Sequence, residues 1–193
     1  MSGGQTGAAT LPLYRRLLGP EWDGLPPAVA AMHDVTGTFT ASGQAEIQRG
    51  AGLLAWMAAA LSGFPETAAQ TDITVHFSSL NGVETWTRRF GGKVFRSRQC
   101  AGSGKHGHLL AEDLGPFRIL TKLVVRDGRL VLDVRGWRLL GLPLPLMLAP
   151  GGLIFEEERG GRFHFHVEVR APLIGLIVRY TGWLVPDTMP GAG

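Results

Sequence analysis

The sequence predicts an α+β fold in which an antiparallel β-meander curls into a barrel or half-barrel closed by short N-terminal helices. Three observations predict it. Beyond residue 70 polar and apolar residues alternate with period two, and turn signals recur about every ten residues, the pattern of successive hairpins. Helical spacing is concentrated before residue 62. With 193 residues, 45% apolar and only 18% charged, one domain can bury a sizeable core. Eight or more twisted antiparallel strands cannot stay flat, so the sheet is expected to curl. The expected domain spans 11–186, between flexible ends at 1–10, "MSGGQTGAAT", and 187–193.

Taken in order, "LPLYRRLLG" carries Leu13, Leu17 and Leu18 at helical spacing and stops at Gly19, a glycine C-cap. "LPPAVAAMHD" opens with Pro26 and Pro27, which suit a helix start. "TGTFTASGQAEIQ" alternates as a strand or hairpin. A third helix covers 50–61, with Leu53, Leu54, Met57 and Leu61 in one stripe and "SGFP" as its stop.

The hairpins follow. "SSLNGVET" holds an Asn81-Gly82 turn, whose two-residue loop sets Phe77 across from Trp86. "RRFGGKVF" is read with a three-residue loop of Gly91, Gly92 and Lys93, which pairs Arg88 with Arg96 and Trp86 with Arg98. "VVRDGRLV" turns at Asp127 and Gly128, placing Lys122 opposite Asp133 and Leu123, Val125, Leu130, Leu132 and Val134 on one apolar face. "EEERGGRFHF", also read with a three-residue loop, pairs Phe155 with Phe165 and sets Glu156 near His164. Between these hairpins "GWRLLGLPLPLMLAPGG" reads as a strand end and a proline-started helical turn that covers the core. Periodicity does not distinguish a solid barrel from a hollow one.

The uncharged run 139–155 approaches the length of a membrane span, but Pro143, Pro145 and Pro150 break any continuous helix, so an aqueous protein without a transmembrane segment is expected. The formal charge is +3 with no block of like charges, which argues against nucleic acid as a partner. One cysteine, Cys100, excludes an intramolecular disulfide framework, and the N-terminus lacks a signal-peptide pattern; both fit a cytoplasmic protein.

The stretches "LYRRLLGPEWDGLPPAVAAMHD", "WTRRFGGKVFRSR", "GWRLLGLPLPLMLAP" and "VEVRAPLIGLIVRYTGWL" together resemble the bacterial family catalogued as domain of unknown function 4166, over nearly all of 11–186. The resemblance implies a module found alone or attached C-terminally to oxidoreductase domains of the saccharopine dehydrogenase or short-chain type. It supplies no catalytic or binding residues.

That association makes "GSGKHG" worth testing as a dinucleotide fingerprint. It lacks the strand, turn and helix of a βαβ unit, because fewer than ten residues separate it from Pro116, and it reads as a hairpin loop. The densest polar feature is Arg88, Arg89, Arg96 and Arg98 on adjoining strands. Guanidinium groups fork onto carboxylate or phosphate oxygens and Trp86 offers a stacking plane, so Arg88, Arg96, Arg98 and Trp86 are candidate ligand-binding residues, with Trp137 and Tyr180 as core or pocket wall; the alternative is a solvent-facing strand on which Glu84, Glu112 or Asp113 partner the arginines. The pairs His106/His108 and His164/His166 each point to one strand face, but no third ligand is spaced to complete a metal site. Neither Cys100 nor the "EEE" at 156–158 comes with a catalytic partner, and no cofactor is expected.

Two functions lead at this point, with an enzyme as a third possibility for which no catalytic constellation is identified. The first is non-catalytic binding of an apolar molecule with an acidic head group, lipid or fatty-acid-like, in a barrel cavity. The alternative is an accessory module docking on a nucleotide-dependent oxidoreductase.

Overall fold

A computed structural model describes residues 11–187; apart from Asp187, the ends expected to be flexible lie outside the described residues. Helices α1 (Leu13–Leu18) and α2 (Pro27–His33) precede strand β1 (Thr38–Arg49), and α3 (Leu53–Ser62) follows it. The meander then runs β2 (Ala68–Leu80), β3 (Val83–Phe90), β4 (Lys93–Ala101), β5 (Leu110–Leu114), β6 (Phe117–Arg126) and β7 (Arg129–Leu139). The short β8 (Leu142–Leu144) leads to β9 (Ile154–Arg159), β10 (Arg162–Ala171) and β11 (Gly175–Pro186).

The sheet order is β6-β5-β4-β3-β2-β1-β11-β10-β9-β7-β8, and an additional β6–β7 pairing closes it into a ten-strand antiparallel barrel, with β8 appended to β7. The closing seam is short. Only Arg129, Leu130 and Val131 of β7 pair with β9, and further along β7 pairs with β8 instead. The wall is therefore incomplete where β7 and β9 diverge.

Strict antiparallel alternation assigns every connection to one of two ends. The turns at 81–82, 127–128 and 160–161, together with α1 and α2, lie at one end, which those helices close. The turns at 91–92 and 115–116, helix α3, the crossing 140–153 and the turn 172–174 lie at the other. Three contacts tie that second end together: Leu140 N–H donates to Pro116 O (2.9 Å), Gly151 bridges Arg170, and Gly115 lies against the Leu61 carbonyl.

Two hairpins have the register read from the sequence: Phe77 faces Trp86, with Asn81 and Gly82 at φ 52° and 77°, and Lys122 faces Asp133. A bulge between Leu120 and Thr121 shifts the remainder of the second. Two others are corrected by one residue. Gly91-Gly92 and Gly160-Gly161 form two-residue loops, so Arg88 faces Phe95 and Arg96 faces Thr87, while Phe155 faces His166 and Glu156 faces Phe165. Gly160 and Gly161 adopt φ 57° and 73°, the paired left-handed geometry that matches strand twist and that glycine reaches without strain. Because side chains alternate, each one-residue shift exchanges the inner and outer faces of a strand relative to its partner.

The core fills the closed end and the middle of the barrel, where Tyr14, Trp22, Val29 and Met32 from the helical segments meet Phe77, Trp86, Phe163 and Leu184 from the strands. Helix α3 does not bury its leucine stripe. Ala55 and Ala59 dock on the barrel, while Leu53 (72% exposed), Leu54, Met57 and Leu61 face outward. The crossing has the predicted form, β8 followed by a Pro145-started helical turn at Leu146–Leu148, yet as a cover it is mostly exposed, with Leu142 and Met147 turned to solvent.

Candidate functional site

Inward-facing positions of the strands leave a cavity of about 130 Å³. Its mouth lies at the end carrying α3, between Ala58 and Ser62 of the helix, Leu114 and Phe117 of the β5–β6 turn, and Pro150 and Gly151 of the crossing. Ile119, Leu132, Val134, Ile154, Val169 and Ile177 line its apolar walls. A second chamber of about 40 Å³ lies against it toward the core, and both are lined by Trp86, Arg88, Glu156, Val167 and Tyr180. The barrel is thus hollow, and its polar groups gather where the two chambers meet.

Arg88 organises that waist. Its guanidinium lies 4.8 Å from the Trp86 ring and 4.9 Å from the Phe95 ring, donates to Ser97 Oγ (2.8 Å) and stands 3.8 Å from Glu112 Oε1. Gln99 links two elements, accepting from the Tyr14 hydroxyl (3.0 Å) and donating to Glu112 (3.0 Å). Glu156 accepts from the Nε2 of His33, whose ring is fully buried and stacks on Tyr14 with centroids 3.9 Å apart. Burial pushes the Tyr180 hydroxyl up to about 12 and the Tyr14 hydroxyl well above its usual value, so both remain neutral at neutral pH.

The predicted site residues do not all converge. Arg88, Trp86 and Tyr180 line the cavity. Arg96 and Arg98 are exposed on the outer face, Arg96 donating to Thr87 Oγ1 (3.1 Å) and Arg98 standing opposite Thr85 and Asp113. The arginine cluster does not form, because the two-residue Gly-Gly loop sends Arg88 inward and its supposed partners outward. Trp137 lies outside the cavity lining and donates its indole N–H to Pro145 O (3.0 Å), tying the crossing to β7.

Sequence reading missed Tyr14, His33 and Gln99 and set Glu156 beside His164 instead of His33, whereas Glu112, one of the carboxylates it offered the arginines, does stand by Arg88. The His33–Glu156 contact spans 123 positions, and no local pattern encodes it. One signal was present: a two-residue loop at Gly160-Gly161 places Glu156 on the face of Phe163 and Phe165, a carboxylate among aromatics. His164 and His166 share the outer face of β10, where His166 stacks on Phe155 (5.1 Å), and burial lowers both imidazoles. Among the described residues no group of three or more His, Cys, Asp or Glu is placed to hold a metal. The glycine-rich 102–109 segment joins β4 to β5 as a hairpin loop, without a βαβ unit.

The sequence profile of the family described as "Domain of unknown function (DUF4166)" matches residues 25–184, and the chain belongs to that family. No curated protein matches the chain. The matched span takes in α2, strands β1 to β10 and β11 up to Leu184, and with them the barrel wall around the cavity, but begins after α1 and therefore leaves out Tyr14.

Proposed function

We propose that the barrel binds a small apolar molecule ending in a neutral hydroxyl or carbonyl group, with its apolar part along the walls and its polar end at the Arg88–Tyr180 waist. One observation carries this reading: a mostly apolar cavity, open at one end, holds a few hydrogen-bonding side chains at one depth, the usual construction of a ligand site. The volume suits a short chain or single ring, since an engineered cavity of ~150 Å³ accepts benzene.

The inward register changes the head group. Three convergent arginines favour an acid, whereas one arginine with Glu112 at 3.8 Å and Glu156 on the same wall does not. A ligand carboxylate there would face two carboxylates in a low-dielectric setting. A neutral oxygen accepts from Arg88 or Tyr180 without that repulsion.

Calorimetric titration with 1-octanol and with octanoate tests the proposal. At ~0.7 kcal/mol for each of nine non-hydrogen atoms, octanol binds with ~6 kcal/mol, a Kd of about 40 µM. Octanoate is expected to bind at least about tenfold more weakly, and Val167→Phe, which fills the shared wall, abolishes both. Tighter octanoate binding would restore the acidic ligand. No saturable binding of either would remove the cavity reading and favour the alternative, a module docking through its exterior on an oxidoreductase.

A further inference from the structure

The loops at the cavity's mouth share a property that the rest of the surface lacks. The segments 50–65, 91–92, 115–116, 139–155 and 171–178 contain no charged residue. Their exposed side chains are large and apolar. On α3 these are Leu53, Leu54, Trp56, Met57 and Leu61. On the crossing Leu140 is 78% exposed and Met147 79%, and Leu173 of the β10–β11 turn is 99% exposed. Outside those segments the exposed large apolar residues are few: Val94, which adjoins the 91–92 turn, and Leu11, Leu80 and Val185, which are scattered. A contiguous apolar end is not what a soluble surface carries by default.

Two of those leucines also hold strained backbone. Leu140 and Leu173 have φ 51° and 67°, a region that bulky residues rarely enter and where glycine or asparagine would sit at lower cost. At both turn tips the chain keeps an exposed leucine instead.

One layer behind the apolar tips lies a basic collar at the strand ends. Arg49 pairs with Glu66 (2.9 Å), Arg118 with Asp113 (2.6 Å) and Arg170 with Glu168 (2.7 Å). Among the described residues Arg89, Lys93, Arg138 and Arg179 make no ion pair at these strand ends, against the likewise unpaired Glu46 and Asp72, so cations outnumber carboxylates in the collar. Uncharged tips bearing Trp, Leu and Met with cations one layer back match the profile of an anionic bilayer: hydrocarbon at the boundary, phosphates above it. No described helix is long and apolar enough to span a membrane.

We infer that this end of the barrel docks on an anionic lipid surface, inserting α3, the 140–148 crossing and the 172–174 turn so that the cavity mouth opens onto the hydrocarbon. The inference goes beyond the ligand reading and does not depend on it, because the face is defined by its loops and collar alone.

Vesicle flotation of the full chain tests it, using phosphatidylcholine vesicles with and without about 30% phosphatidylserine. The wild type floats with the anionic vesicles, and added salt weakens the association. Leu54→Glu/Met147→Glu lowers partition by more than about tenfold, with melting temperature and octanol binding unchanged because both side chains already face solvent. Lys93→Glu/Arg138→Glu reduces binding to anionic vesicles but not to neutral ones. Absence of flotation by the wild type, or flotation that neither double variant alters, overturns the inference. A wild-type dimer that ignores vesicles and becomes monomeric in Leu54→Glu/Met147→Glu overturns it too, and assigns the face to a second copy of the chain. Loss of octanol binding with vesicle binding intact would refute only the ligand proposal.

Discussion

Replacing Arg88 by alanine separates an interior arginine from its neighbours on the same hairpin. The side chain is 11% exposed, donates to Ser97 at 2.8 Å and lies over two aromatic rings. A charge-assisted hydrogen bond contributes ~1.5 to 3 kcal/mol and each cation–π contact ~0.5 to 1 kcal/mol or more, offset in part by the side-chain entropy that ordering costs. Glu112, left without its cation, adds to the loss. The expected destabilisation is about 3 kcal/mol, or roughly 6 to 12 °C in melting temperature for a chain of this size. Arg96→Ala and Arg98→Ala, on the exposed face, stay within ~0.5 kcal/mol of wild type. Arg88→Met, which keeps an apolar stem against Trp86 and Phe95, recovers part of the difference. Urea denaturation followed by tryptophan fluorescence measures all four variants. Equal stability of Arg88→Ala and Arg96→Ala would refute the inward placement of Arg88 and with it the description of the waist.

Two further predictions concern pH. Tyr180 ionises near 10 in the unfolded chain and only at about 12 in the folded one, so its contribution to stability is complete below pH 10 and is lost as pH rises toward 12; ultraviolet phenolate titration of wild type and Tyr180→Phe checks this, and a Tyr180 that ionises at 10 in the folded chain contradicts it. Glu84 is fully buried, and burial raises its carboxyl against the opposing hydrogen bond from the Trp86 indole (3.2 Å). The protonated form is favoured in the fold, so wild-type stability falls as pH climbs above the unfolded value and through the raised one, whereas Glu84→Gln is flatter there and more stable at pH 7; parallel urea curves at pH 4 and pH 7 decide it.

The barrel was legible because its turns are written locally. Asn81-Gly82 and Asp127-Gly128 set two registers outright, and once the strands are counted, twist forces closure. The interior was less legible for a physical reason. At Gly91-Gly92 and Gly160-Gly161 a two-residue and a three-residue loop both fit the sequence, and the choice inverts which strand face is inside. Arg88, Arg96 and Glu156 all changed company on that single residue. His33 and Tyr14 were beyond reach for another reason: they come from the N-terminal helices and meet the strands only when the barrel closes. Helix α3 shows a third limit, since periodicity reveals that a helix is two-faced but not which face docks. Its alanines pack against the wall and its leucines look outward, the reverse of the usual expectation for an amphipathic helix.

Methyl-resolved NMR of the isoleucine-labelled chain during 1-octanol titration tests the cavity most directly. Ile119, Ile154 and Ile177 line the larger chamber and Ile73 the smaller, while Ile47 is buried away from both. Ile119, Ile154 and Ile177 are expected to shift saturably with one common affinity, and Ile47 to stay unmoved. Shifts that fail to saturate, or that leave those three methyls in place, would contradict binding in the cavity.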